Sequence, residues 1–179
     1  LNKIFRQAGE SGIVTNAHKI NEGKAVELDN STKDFLYIRR NTPQEALNAT
    51  IGLIMTKLPD YVKSTPQEIQ VLTPMRKGTL GVLNLNESIQ KVLNPESKYK
   101  KEKKIKDMIF REGDKVMQTK NNYSLKWHRI SGEGDEEGVG VFNGDMGFIE
   151  KIDEEEKIVT VVFDDEKRVH YDYVYIDEL

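Results

Sequence analysis

The chain has 179 residues, 37% hydrophobic and 32% charged, with a formal net charge of −3. That is enough for one compact domain or two small ones with a real core. The absence of cysteine excludes a disulfide framework and a Cys-based zinc site. No apolar run approaches the roughly 18 residues of a membrane span and no signal-peptide pattern is present, so a cytoplasmic setting with no membrane partner is expected. The first residue is Leu rather than Met, which reads as an excised fragment. Residues 1–106 carry 18 Lys/Arg against 11 Asp/Glu, a balance of +7, whereas residues 107–179 carry 9 against 19, a balance of −10. Two halves of opposite sign predict two units, with a polyanion favoured on the first.

In chain order, "KIFRQ" near the start reads as a strand or strand end, followed by a helix across 11–21. "DFLYIRR" (34–40) has strand composition. Thr42, Pro43 and Glu45 then form a capping box with proline at the first helical position. Leu47, Ile51, Ile54, Met55 and Leu58 recur at helical spacing, and Pro59 is expected to stop that helix. "EIQVLTP" (68–74) is a further strand. A helix bearing Leu80, Leu83, Leu85, Ile89 and Val92 follows and ends at Asn94-Pro95. This alternation predicts an α/β half with a parallel sheet. The run "KYKKEKKIK" (98–106), six lysines in nine residues, reads as a solvated linker or as a phosphate-contacting strip.

Beyond residue 106 the pattern changes to short strands with tight turns, which predicts a small β-barrel. Val159, Val161 and Phe163 alternate, as do Val169, Tyr171, Tyr173 and Tyr175. The acidic stretch 131–138 has the composition of a hairpin tip, and "VYIDEL" (174–179) reads as a strand leaving the barrel. The boundary is placed between 1–106 and 107–179.

Two constellations carry chemistry. In "VLTPMRKGTLG" (71–81) an apolar strand delivers Thr73, Arg76 and Lys77 to its carboxyl end, and Gly78 and Gly81 precede a helix N-terminus, where anions are favoured. Arg6 and Gln7 make a similar strand end. Each alone fits a solvated loop; together they point as much to phosphate or nucleic-acid contact. No phosphate-binding loop of the form G-x-x-x-x-G-K-[ST] occurs. His18, His128 and His170 have no metal spacing or nucleophile partner, so no metal site is expected. Trp127 and the tyrosines fit barrel core better than base stacking.

The blocks "IFRQAGESGIVTNAHKINEG", "VLTPMRKGTLGVLNLNESIQKVLNP" and "GDKVMQTKNNY…VFNGDMGFI", in that order, resemble the second motor domain of RecD-like DNA helicases. These belong to the 5′-to-3′ branch of superfamily 1 and include the exodeoxyribonuclease V alpha subunit. The resemblance covers nearly the whole chain and is weak at 22–66 and 124–138. It implies a partial RecA-like parallel sheet over 1–106 and an SH3-like β-barrel insertion over 107–179. It implies that Arg6 reaches the γ-phosphate of ATP, with Gln7 beside it at the nucleotide. Thr73, Arg76 and Lys77, and Asn121 and Asn122 in the third block, would contact single-stranded DNA. ATP and Mg²⁺ would belong to the parent enzyme, because the Walker A and B motifs would precede residue 1. The chain alone is therefore expected neither to hydrolyse ATP nor to unwind DNA, and its partners would be single-stranded DNA and the rest of the same helicase chain. The rival reading is a non-enzymatic module in which the acidic barrel recruits a protein.

Overall fold

The computed structural model describes residues 11–130 and 136–179. The chain forms two compact units, Leu1–Ala46 and Leu47–Leu179. The expected "KIFRQ" strand, with Arg6 and Gln7, lies outside the described residues, as does most of the acidic tip.

In the first unit the expected helix is present as α1 (Gly12–Asn21), capped by Ser11, whose hydroxyl accepts from Val14 N–H. Asp34 braces the same end. It accepts from the Ser11 hydroxyl and from Gly12 N–H at 3.0 Å, and the hydroxyl holds its carboxyl below the ordinary range. Buried Asn16 ties α1 to the following segment through Glu27, accepting its N–H at 2.9 Å.

α2 (Pro43–Gly52) opens at the expected proline, with Glu45 N–H donating to Thr42 Oγ1 at 3.2 Å. Pro59 does not stop the helix. A π-helical turn, Leu53–Lys57, leads into α3 (Leu58–Val62), and the stop comes at Lys63, whose φ is 57°. Pro59 sits in the first turn of α3, where its missing N–H costs no hydrogen bond. After a short 3₁₀ turn, Pro66–Glu68, the chain runs extended to the loop that precedes α4 (Val82–Leu93).

β1 (Glu102–Ile105) and β2 (Met108–Arg111) form a hairpin. Half of the lysine run is thus a strand and not a linker. β3 (Lys115–Met117), β4 (Asn122–Arg129), β5 (Glu137–Val141), β6 (Met146–Asp153), β7 (Ile158–Phe163) and β8 (Lys167–Asp172) form one sheet in the order β3-β6-β7-β8-β4-β5, antiparallel throughout. Its inner face carries the alternating residues expected from the sequence: Val159, Val161, Phe163, Val169 and Tyr171 are all at most 3% exposed. Ile149, Ile152 and Phe110 complete the core.

Two expectations are corrected. No parallel pair forms among the described residues, and neither 34–40 nor 68–74 is a strand, Glu68 closing the 3₁₀ turn. A strand exists only where a neighbour takes its backbone donors and acceptors, and composition does not supply the neighbour. The final segment is not a strand either. β8 ends at Asp172, and Ile176–Glu178 is a 3₁₀ turn whose Ile176 is buried against the barrel core.

Candidate nucleic-acid interface

The loop between the extended segment and α4 is tied down by its backbone. Thr73 Oγ1 donates to Leu80 O at 2.6 Å, and Gly81 N–H donates to Gly78 O at 2.9 Å. Val82 N–H, in the first turn of α4, donates to Met75 O at 2.9 Å, and Asn84 Nδ2 donates to Thr79 O at 2.7 Å. Gly78 adopts φ +92°, a left-handed conformation that favours glycine. Gly81 is required for space. A Cβ there would stand 2.5 Å from the Lys77 carbonyl carbon.

Arg76 and Lys77 are exposed on this fixed backbone; the Arg76 carbonyl accepts Leu83 N–H at 3.5 Å, and neither side chain has a hydrogen-bond or ion-pair partner among the described residues. Thr73 is half-buried and serves the loop itself. Thr73, Arg76 and Lys77 thus share one loop, Thr73 turned to the loop itself and the two cations exposed.

Asn121 precedes β4, Asn122 opens it, and the two are used differently. Asn121 is exposed, and its Oδ1 accepts Asn143 N–H at 2.9 Å. Asn122 is committed on both sides, donating to Glu178 Oε2 at 2.9 Å and accepting from Ser124 N–H and Oγ. Glu178 also accepts from Gln118 Nε2 at 3.1 Å, and Gln118 accepts the Tyr171 hydroxyl at 2.8 Å. Gln118 is fully buried and was not singled out by sequence reasoning; a polar residue ahead of Thr119, Lys120 and two asparagines carries no mark of an interior position.

A second unforeseen cluster joins α4 to the barrel. Asn94 and Arg111 are each 6% exposed, and Arg111 donates to Asn94 O at 2.6 Å and to Glu102 Oε2 at 2.6 and 2.9 Å. Asp114 accepts from Asn94, from Gln90 and from Arg111 N–H. The only sequence signal was the Asn-Pro helix stop.

On the outer sheet face, His128 and His170 lie with ring centroids 5.5 Å apart beside Thr160, Arg168 and Glu150. Burial, then His128 and Arg168, hold His170 below its ordinary range. Arg168 is paired bidentately with Glu150 at 2.6 and 2.8 Å. Among the described residues no group of three or more His, Cys, Asp or Glu is placed to hold a metal, and no helix is long and apolar enough to cross a membrane.

Residues 85–163 match the family described as the SH3 domain of ATP-dependent RecD-like DNA helicases. The ATP-dependent RecD2 DNA helicase of Deinococcus radiodurans is 30% identical over 164 residues, covering 92% of this chain. The chain is thus similar to RecD-like helicases, over residues 85–163 to their SH3 domain and over most of its length to the RecD2 enzyme. It spans 19% of the length of that curated relative. The SH3 match begins at Leu85, inside α4, so this RecD-like barrel domain takes in the helix end that carries Gln90 and Asn94.

Proposed function

We propose that this chain is the part of an ATP-dependent 5′-to-3′ DNA helicase that grips single-stranded DNA. Arg76 and Lys77 would contact backbone phosphates, with Thr73 holding the loop that presents them. The observation that carries this reading is a pair of exposed cationic side chains without partners among the described residues, on a loop whose Met75 and Thr79 carbonyls are bound back to α4. A loop fixed in this way presents charge without an ordering cost at binding. Asn121 belongs to the proposed DNA surface, whereas Asn122 is better explained as a brace for Glu178.

ATP and Mg²⁺ belong to the whole helicase in this reading, with Arg6 near the γ-phosphate and Gln7 beside the nucleotide. The support for those two roles is the "FRQ" motif and the similarity to the RecD2 helicase over 92% of the chain. The chain by itself would bind DNA weakly and hydrolyse no ATP. A second reading, capture of a protein by the barrel, is favoured by Tyr123 and Phe142, exposed and packed edge-on with centroids 5.7 Å apart.

The deciding experiment is fluorescence anisotropy of a labelled oligothymidine across a salt series. Salt-sensitive binding lost in the Arg76→Ala/Lys77→Ala variant supports the DNA reading. Binding indifferent to both residues refutes it.

A further inference from the structure

α4 is held at both ends by different devices. At its N-terminus, Val82 and Asn84 take the carbonyls of Met75 and Thr79, which fixes the Arg76–Lys77 loop to the first turn. At its C-terminus, the side chains of Gln90 and Asn94 enter the corner between β2 and β3. Gln90 Nε2 donates to Ile109 O at 2.8 Å and to Asp114 Oδ2 at 2.6 Å. Asn94 Nδ2 donates to Asp114 Oδ1 at 2.7 Å and to Glu112 O at 3.1 Å, and its Oδ1 accepts from Lys100.

The corner is in turn part of the barrel. Asp114 O accepts Ile149 N–H, Gly113 N–H donates to Ile149 O, and Glu112 Oε1 accepts Ile152 N–H, each at 2.8–2.9 Å. Gly113, at φ +90°, lies against the Asn94 amide, where a Cβ would touch it at 3.4 Å. Every polar atom of the Asp114 carboxylate is thereby used, and its partners come from α4 and β2.

We infer that Asn94 and Asp114 are positioning residues for the DNA-contacting loop: they bind α4 to the barrel so that Arg76 and Lys77 are carried at a fixed place relative to it. Twelve residues of helix, about 18 Å at a rise of about 1.5 Å per residue, form the rod between the two points. A load on the barrel is then carried along α4 to the loop, beside the direct tie of Lys115 Nζ to Gln67 O at 2.7 Å. The inference rests on the reading of Arg76 and Lys77 as DNA contacts.

The chain contains no cysteine, so nitroxide labels can be placed at will. Asn86→Cys on α4 and Glu155→Cys at the β6–β7 turn are both exposed sites. Pulsed EPR between them should give one narrow distance in the parent chain. Asn94→Ala should broaden it and weaken oligothymidine binding about fivefold, while Arg76→Ala/Lys77→Ala loses binding with the distance unchanged. Gln90→Ala, which removes one tie and leaves Asn94 in place, gives the same test should Asn94→Ala not fold. A distance that stays narrow overturns the inference. A distance that broadens without weakening the binding also overturns it, leaving the joint as structural alone and the DNA reading intact. Binding that survives in the Arg76/Lys77 variant removes the DNA reading and the inference with it.

Discussion

The Tyr171 hydroxyl donates to Gln118 Oε1 at 2.8 Å where both side chains are fully buried, a polar pair joining β8 to the residue after β3. Burial, with Glu178 and Asp145 nearby, pushes the phenol well above its ordinary range, so it stays protonated and serves as donor. Gln118 passes the connection on to Lys120 O and Glu178, which closes the barrel end under Ile176.

Tyr171→Phe removes the donor and leaves a buried amide oxygen unsatisfied. The expected cost is about 1–3 kcal/mol, read as a lower urea midpoint with an unchanged slope. An unchanged midpoint would mean that water reaches Gln118.

Arg111→Ala should be more damaging. Its guanidinium is 7% exposed and joins Glu102 to the Asn94 carbonyl, so truncation strands both. Because Glu102 can reach water, the loss is expected at the lower end of the range for a broken buried pair, about 3 kcal/mol. Arg111→Lys keeps the charge but not the fork, and should recover only part of the thermal stability.

Gly81→Ala tests the loop without touching a charge. The new Cβ would meet the Lys77 carbonyl, so the loop must open, at a local cost of about 1–3 kcal/mol. Hydrogen exchange should show lost protection at the Val82 amide, which donates to Met75 O, while amides of β7 and β8 stay protected.

His170 gives a pH dependence with a defined sign. Its folded pKa lies below the ordinary 6.5, held there by burial, His128 and Arg168 against the opposing charge of Glu150. The folded state therefore binds fewer protons than the unfolded one. Its contribution is present above about pH 6.5 and is lost as pH falls through the lowered folded value. Chemical denaturation between pH 7.5 and 5 should show declining stability, and His170→Gln should flatten the curve.

Much of this was legible in the chain. α1, the start of α2 and the whole of α4 follow from caps and helical spacing, because these signals act over a few neighbouring residues. The barrel followed from period-two alternation in β7 and β8, since a face packed on a core must be apolar at every second position. Thr73, Arg76 and Lys77 were found together because a turn of nine residues cannot separate them far.

What failed was whatever needed a distant partner. The segments 34–40 and 68–74 have strand composition and no strand, and Tyr173 and Tyr175 continue an alternation that the sheet does not follow. Pro59 was read as a stop because its effect depends on the turn before it, and a π turn alters that register.

By itself, then, the sequence determined α1, the start of α2, α4, the inner face of the barrel, the two opposite charge balances and the cation-bearing loop, all properties of local pattern. Tertiary structure alone decided that Gln118 lies inside the barrel and that Asn94 and Asp114, twenty residues apart, join α4 to it. A polar side chain looks the same in sequence whether it faces water or a buried partner, and only the fold chooses which.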